Sequence, residues 1–115
     1  MSITNSHKNT DTCTVGFVVA NAALGSDKDT VIFLSTDGVW AAAKGEAEKI
    51  NEGAPFAPLK ELVDKFIDNG GKILVCAPCL KKRGIIDEQL ITGATPVGGA
   101  TLVELLSDGT PCVTY

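Results

Sequence analysis

Two short apolar runs rich in β-branched residues, "TVIFLS" (Thr30 to Ser35) and "KILVC" (Lys72 to Cys76), bracket a segment of helical period. In that segment, "APLKELVDKFIDNGG", the residues Leu59, Leu62, Val63, Phe66 and Ile67 recur at spacings of three and four. It follows a proline and closes on Gly70 and Gly71, which marks an amphipathic helix with a clean stop. The flanking runs are continuous rather than alternating, the pattern of strands covered on both faces. Strand, helix, strand in this order is a βαβ crossover, and it commits the chain to a parallel sheet.

The rest of the chain extends the same alternation. "ATPVG" is predicted as a strand, "GATLVELLSDG" as a helix with Leu102, Leu105 and Leu106 on one face, and "TPCVTY" as a final strand. A short helix is expected near Trp40. The segment "AKGEAEKINEGAPFAP" reads as an exposed loop positioned to cover a site, leading into the long helix that begins around Pro58. The stretch "TVGFVVANAALG", Thr14 to Gly25, is a strand by propensity and a buried helix by length, with Asp11 or Thr12 as N-cap and Gly25 just past the end. The helix is favoured. The first strand then falls to the polar "SITNS", short, frayed or missing, within a leader spanning residues 1–10. The fold class is a three-layer α/β/α domain with a mostly parallel sheet.

With 115 residues, 44% of them hydrophobic and 21% charged, a single well-buried domain over residues 1–115 is expected. A net charge of −4 gives no basic face for nucleic acid. No run approaches the roughly 20 apolar residues that span a bilayer, and the opening "MSITNSHKNTDT" lacks the apolar centre of a signal peptide. Cytoplasmic placement follows, with no membrane partner.

Four cysteines, Cys13, Cys76, Cys79 and Cys112, would then lie in a reducing compartment, where a close pair is more chemical than structural. The pair is "CAPC". Pro78 suits the first helical position and pushes Ala77 out of the helical region, so a helix is expected to start just after Cys76. Both thiols then stand at the carboxyl edge of a central strand and at a helix start, with Lys81, Lys82 and Arg83 close behind. These features favour anionic, nucleophilic sulfur. The plainer alternatives are a buried cysteine at a strand end and a solvated basic helix face. Cys13 and Cys112 read as packing residues. A four-thiolate zinc site needs two pairs at ligand spacing, so no metal is expected, and nothing requires a cofactor. His7, the one histidine, lies in the leader, away from a Cys-His arrangement. Asp37 and Gly38 follow a central strand on the same carboxyl edge, where open α/β sheets bind ligands. Asp37 also serves as a helix N-cap candidate, and Trp40 reads chiefly as packing. Thioredoxin shares the C-x-x-C spacing, but its order of elements differs from the two βα units that precede Cys76 here.

"VIFLSTDGVWAA", "GGKILVCAPCLKKRGI", "LITGATPVGGATLVELLSDG" and "CVTY" together resemble the DsrE/DsrF-like family, which includes sulfur-relay proteins, from about Asp11 onward. The specific marks are the Cys76-x7-Gly84 spacing, the Asp37-Gly38-Val39 turn, and the Gly-Ala loop before a leucine-bearing helix. The resemblance implies a flavodoxin-like domain assembling into trimers or hexamers, and it implies a helix for Thr14 to Gly25. It further implies that Cys76 accepts sulfane sulfur as a persulfide and passes it between donor and acceptor proteins. Cys79 departs from the family pattern, because a second thiol could resolve a Cys76 persulfide to a disulfide and release sulfide. Two other functions fit the residues: a Cys76/Cys79 thiol-disulfide switch, and a non-enzymatic oligomeric binding module with a pocket near Asp37, Trp40 and Cys79.

Overall fold

A computed structural model describes residues 1–115. The chain runs β1 (Ser2–Ile3), α1 (Thr10–Gly25), β2 (Val31–Leu34), two 3-10 segments (Thr36–Ala42 and Ala47–Lys49), α2 (Leu59–Asp68), β3 (Lys72–Cys76), α3 (Ala77–Lys82), a third 3-10 turn (Asp87–Gln89), β4 (Ala94–Val97) and α4 (Gly99–Leu106). The four strands form one all-parallel sheet in the order β1-β2-β3-β4. This is the parallel α/β sheet that the alternation predicts and the flavodoxin-like class that the family resemblance implies.

Register divides the side chains between two faces. Ile3 pairs with Leu34 and Leu34 with Val75, so these three share a face, and two-residue alternation adds Ile32 and Ile73 to it. All five are buried. Gly16 of α1 lies against the Ile3 side chain, which places α1 on this face, and α2 packs beside α1 through an edge-on contact of Phe17 with Phe66, ring centroids 6.4 Å apart. The Asn21 amide strengthens that helix pair by donating to the Leu62 carbonyl at 3.0 Å. Phe33, Leu74 and Cys76 belong to the opposite face. There α4 bounds, with Val31 and Phe33, an apolar cavity of about 430 Å³, and no residue of α4 is fully buried. The second layer is therefore the thinner one.

Several boundaries differ from the sequence expectation. The N-cap of α1 is Asn9, whose side chain accepts the Thr12 N–H at 3.0 Å, not Asp11 or Thr12. The helix keeps Gly25 in its last turn and ends at Ser26, with Asp27 in the left-handed region. β1 is present although only two residues long, because Phe33 N–H donates to the Met1 carbonyl and Ser35 N–H to that of Ile3. "TPCVTY" forms only a single parallel bridge, Thr114 to Ser2, on the outer side of β1. The Ala43 to Pro58 loop is pinned rather than free: Ala47 and Ile50 are buried, and Leu59 N–H donates to the Ile50 carbonyl. Pro96 sits in β4, an edge strand, where a missing donor is tolerated.

Candidate functional site: a dithiol at the carboxyl edge of the sheet

Cys76 is the last residue of β3 and the N-cap of α3, with an extended backbone. The helix opens at Ala77, so Pro78 stands second rather than first, and Ala77 is helical despite the proline that follows it. The cost is small, since none of the first four helical N–H groups has an intrahelical partner to lose. Cys76 and Cys79 are both half-buried and both free. Burial pushes the Cys76 thiol above its ordinary value and the neighbouring Cys79 thiol pushes it the same way, while the Cys79 backbone N–H and the Arg83 charge pull in the other direction.

Arg83 does not point freely into solvent, because its guanidinium donates to the Cys79 carbonyl at 3.1 Å. Lys81 and Lys82 lie exposed in the last turn of α3. Gly84 ends that helix: at φ 69° it lets its own N–H reach the Lys81 carbonyl and the Ile85 N–H reach that of Leu80, while Leu80 and Ile85 are both buried. The C-x7-G spacing thereby measures one short helix and its left-handed stop.

The Asp37-Gly38-Val39 turn has a structural explanation in full. Asp37 is buried, and its carboxylate accepts the Ser6 N–H at 2.6 Å and the Lys8 N–H at 3.0 Å, so it caps no helix of its own and instead ties down the leader. A Cβ on Gly38 would stand 2.3 Å from the Ile3 carbonyl oxygen, so only glycine allows β1 to end where it does. Val39 is core. Trp40 is half-buried, 6.2 Å from the His7 ring, and His7 meets Glu46 at 2.8 Å. Glu46 is held below the usual carboxylate range chiefly by its hydrogen bond from Lys49.

Thr36 is the residue that sequence reasoning missed. Its backbone N–H donates to Cys79 Sγ at 3.2 Å, from a left-handed backbone with φ 50°. The only signal in the sequence was its place directly after a central strand.

The structure brings Cys76, Cys79, Arg83 and Thr36 together, and directs Asp37, Gly38 and Gly84 to the scaffold. Two cavities lie elsewhere. The one of about 430 Å³ lies under α4, and one of about 210 Å³ flanks α3 at Ala77, Leu80 and Ile85; neither is lined by Cys76, Cys79, Asp37 or Trp40. Cys13 is buried, with its thiol pushed up to about 12 by desolvation, whereas Cys112 is exposed on the rim of the larger cavity and is not a packing residue.

Fold and site define a small parallel α/β protein with a dithiol at the carboxyl edge of its sheet. The chain belongs to the DsrE/DsrF-like family, whose model matches residues 1–115, a family generally linked to sulfur relay. It is 35% identical over 91 residues to uncharacterized protein MJ0760 of Methanocaldococcus jannaschii, covering 79% of this chain and 33% of that one. It is 34% identical over 74 residues to MK0008 of Methanopyrus kandleri, covering 64% of this chain and 57% of that one. MJ0989 of M. jannaschii is 31% identical over 84 residues, with 73% and 69% covered. The chain therefore spans about a third of MJ0760 and under two thirds of MK0008. In structure it is similar to the ychN protein from E. coli (TM-score 0.71, 16% identity, 99% and 96% covered) and to MTH1491 from Methanobacterium thermoautotrophicum (TM-score 0.72, 16% identity, 99% and 95% covered). No helix is long and apolar enough to cross a membrane.

Proposed function

We propose that the protein is a sulfane-sulfur carrier in which the Cys76/Cys79 pair takes one sulfur atom from a donor protein as a persulfide and passes it to an acceptor protein. The observation that carries this reading is the pair itself: two free, half-buried thiols on consecutive elements, one receiving a backbone N–H from a third element. A relay needs a thiolate, a reachable outer sulfur and a good leaving sulfur, and no separate acid or base. Family membership supports the same reading. Lys81, Lys82 and Arg83 are proposed to shape the approach of an anionic partner, Trp40 to border it, and the cytoplasm to be where the relay works.

Incubation with glutathione persulfide followed by intact mass spectrometry tests the proposal: the chain is expected to gain about 32 Da, one sulfur, and the double variant Cys76→Ser/Cys79→Ser to gain none at these positions. No gain in the unaltered chain refutes it.

Two free thiols at one strand-helix junction, Cys76 closing β3 and Cys79 in the first turn of α3, favour a second reading, a reversible Cys76–Cys79 disulfide switch. Equilibration in glutathione buffers separates the two, since a pair far below the cytosolic poise would stay oxidised and could not switch.

A further inference from the structure

The two thiols stand in unequal surroundings. Thr36 is β-branched, and a left-handed backbone is a sterically disfavoured state for such a residue, held only when its neighbours over-determine it. Here the neighbours are visible. The Thr36 hydroxyl donates to the Thr4 carbonyl at 2.8 Å, anchoring the residue to the chain just beyond β1, while its N–H is delivered to Cys79 Sγ at 3.2 Å. Of the two thiols, only Cys79 receives a donor from the turn after β2, and burial pushes the Cys76 thiol up.

Resting on the sulfane-sulfur reading above, we infer that Cys79, not Cys76, is the sulfur that attacks the donor and carries the persulfide, with Cys76 as the resolving thiol and Thr36 as a positioning residue. Cys79, as thiolate, attacks the outer sulfur of the donor R–S–SH. The Cys79 Sγ–S bond forms, the donor S–S bond breaks, its electron pair leaves as RS⁻, and the hydrogen stays on the transferred sulfur. When an acceptor thiolate attacks that outer sulfur, Cys79 Sγ becomes the leaving group. The Thr36 N–H faces the atom that attacks at loading and takes the electron pair back at unloading, so one fixed dipole serves both directions.

Without an acceptor, Cys76 gives up its proton and attacks Cys79 Sγ. The Cys76–Cys79 bond forms, HS⁻ departs and takes a proton, the sulfane sulfur is reduced to sulfide, and the two cysteine sulfurs are oxidised by the same two electrons. Cys76 thereby clears a persulfide that finds no partner.

The test uses a Cys112→Ser parent, because Cys112 is exposed and would load on its own. With glutathione persulfide, the parent is expected to gain about 32 Da and then pass to a species about 2 Da lighter than the starting chain, releasing sulfide. Cys76→Ser should hold the adduct, mapped to Cys79 by peptide analysis, and Cys79→Ser should load roughly tenfold more slowly or less. In the loaded Cys76→Ser chain the Thr36 amide proton resonance should shift. Loading of Cys79→Ser at the parent rate, mapping of the parent adduct to Cys76, or an unmoved Thr36 amide overturns the inference while leaving the carrier reading intact. Failure of the parent to load overturns the carrier reading itself.

Discussion

The buried carboxylate of Asp37 accepts the backbone N–H of Ser6 at 2.6 Å, fastening the start of the chain to the turn that follows β2. The same turn begins with Thr36, so the bond that orders the leader also steadies the residue whose N–H reaches Cys79. The neighbouring Lys8 N–H is the second donor to this carboxylate.

Asp37→Ala should therefore cost stability well before it affects chemistry. Two amide donors lose a charged acceptor in a buried place, a loss of about 2–4 kcal/mol, with Asp37→Asn losing less because one oxygen remains. Urea unfolding reads this as a lower midpoint. An unchanged midpoint in Asp37→Ala would contradict the anchoring role.

Gly38 and Gly84 should respond differently to the same added methyl. At Gly38 the new Cβ meets the Ile3 carbonyl oxygen, a backbone atom that cannot step aside, and Gly38→Ala is expected to cost about 2–3 kcal/mol. At Gly84 the surrounding space is open and only the left-handed backbone resists, so Gly84→Ala should cost about 1–2 kcal/mol. Gly84→Asn should recover part of that, since asparagine tolerates φ above zero. Denaturation midpoints in the order parent, Gly84→Asn, Gly84→Ala, Gly38→Ala are the expected result.

Much of the architecture was readable because the central elements carry strong periodic patterns. Leu59 to Ile67 has a helical stripe, and Val31 to Leu34 and Ile73 to Val75 are short continuous runs, so two strands and a helix follow from pattern alone. α1 resisted because it is apolar on nearly every side: Val15, Val18 and Val19 are half-buried in addition to its buried face, which removes the stripe that distinguishes helix from strand. β1 was hard to see because two residues have no period. It exists through backbone bonds to β2. At the site, Cys76, Cys79 and Arg83 were legible as residue types at a strand-helix junction. Thr36 was not, since its contribution is a backbone N–H in a left-handed conformation, and neither property is written in the identity of a threonine. Asp37 drew attention for the right position and the wrong partner: its acceptors' donors come from a leader that composition alone describes as polar.

Cys13 ties stability to alkaline pH. Its folded thiol is pushed up from an ordinary 9.0 to about 12 by desolvation, so between these values the unfolded chain loses a proton that the folded chain keeps. The unfolded state then binds fewer protons, and the free energy of unfolding falls as pH rises. The contribution is fully present below pH 9 and is lost toward pH 12, by up to about 4 kcal/mol over the whole window. Urea midpoints at pH 7.5 and pH 10 should drop more in the parent than in Cys13→Ala, where lysine and tyrosine titrations remain but this one does not. Equal drops would show that Cys13 is not the group responsible. The same shift predicts that native Cys13 resists iodoacetamide at pH 8 while exposed Cys112 reacts.

Assembly is the last expectation, and it follows from the thin second layer of the sheet. Leu74 is only half-buried, while Val103, Leu106 and Val113 are 67%, 38% and 52% exposed, so apolar surface remains on and around the α4 side of one chain. Small domains with such a surplus commonly bury it between copies, and closed symmetric assemblies do so without leaving a free patch. A trimer, or two paired trimers, is the form that the family resemblance implies. Size exclusion with light scattering at micromolar concentration should then give three or six times the 11.9 kDa of one chain. Placing a charge at the exposed apolar positions, Val103→Glu with Val113→Glu, should move the mass toward that of one chain, because an unpaired carboxylate would have to leave water at the contact. A single-chain mass in the parent would refute the assembly, and an undisturbed assembly in the double variant would place the contact away from α4 and the final strand segment.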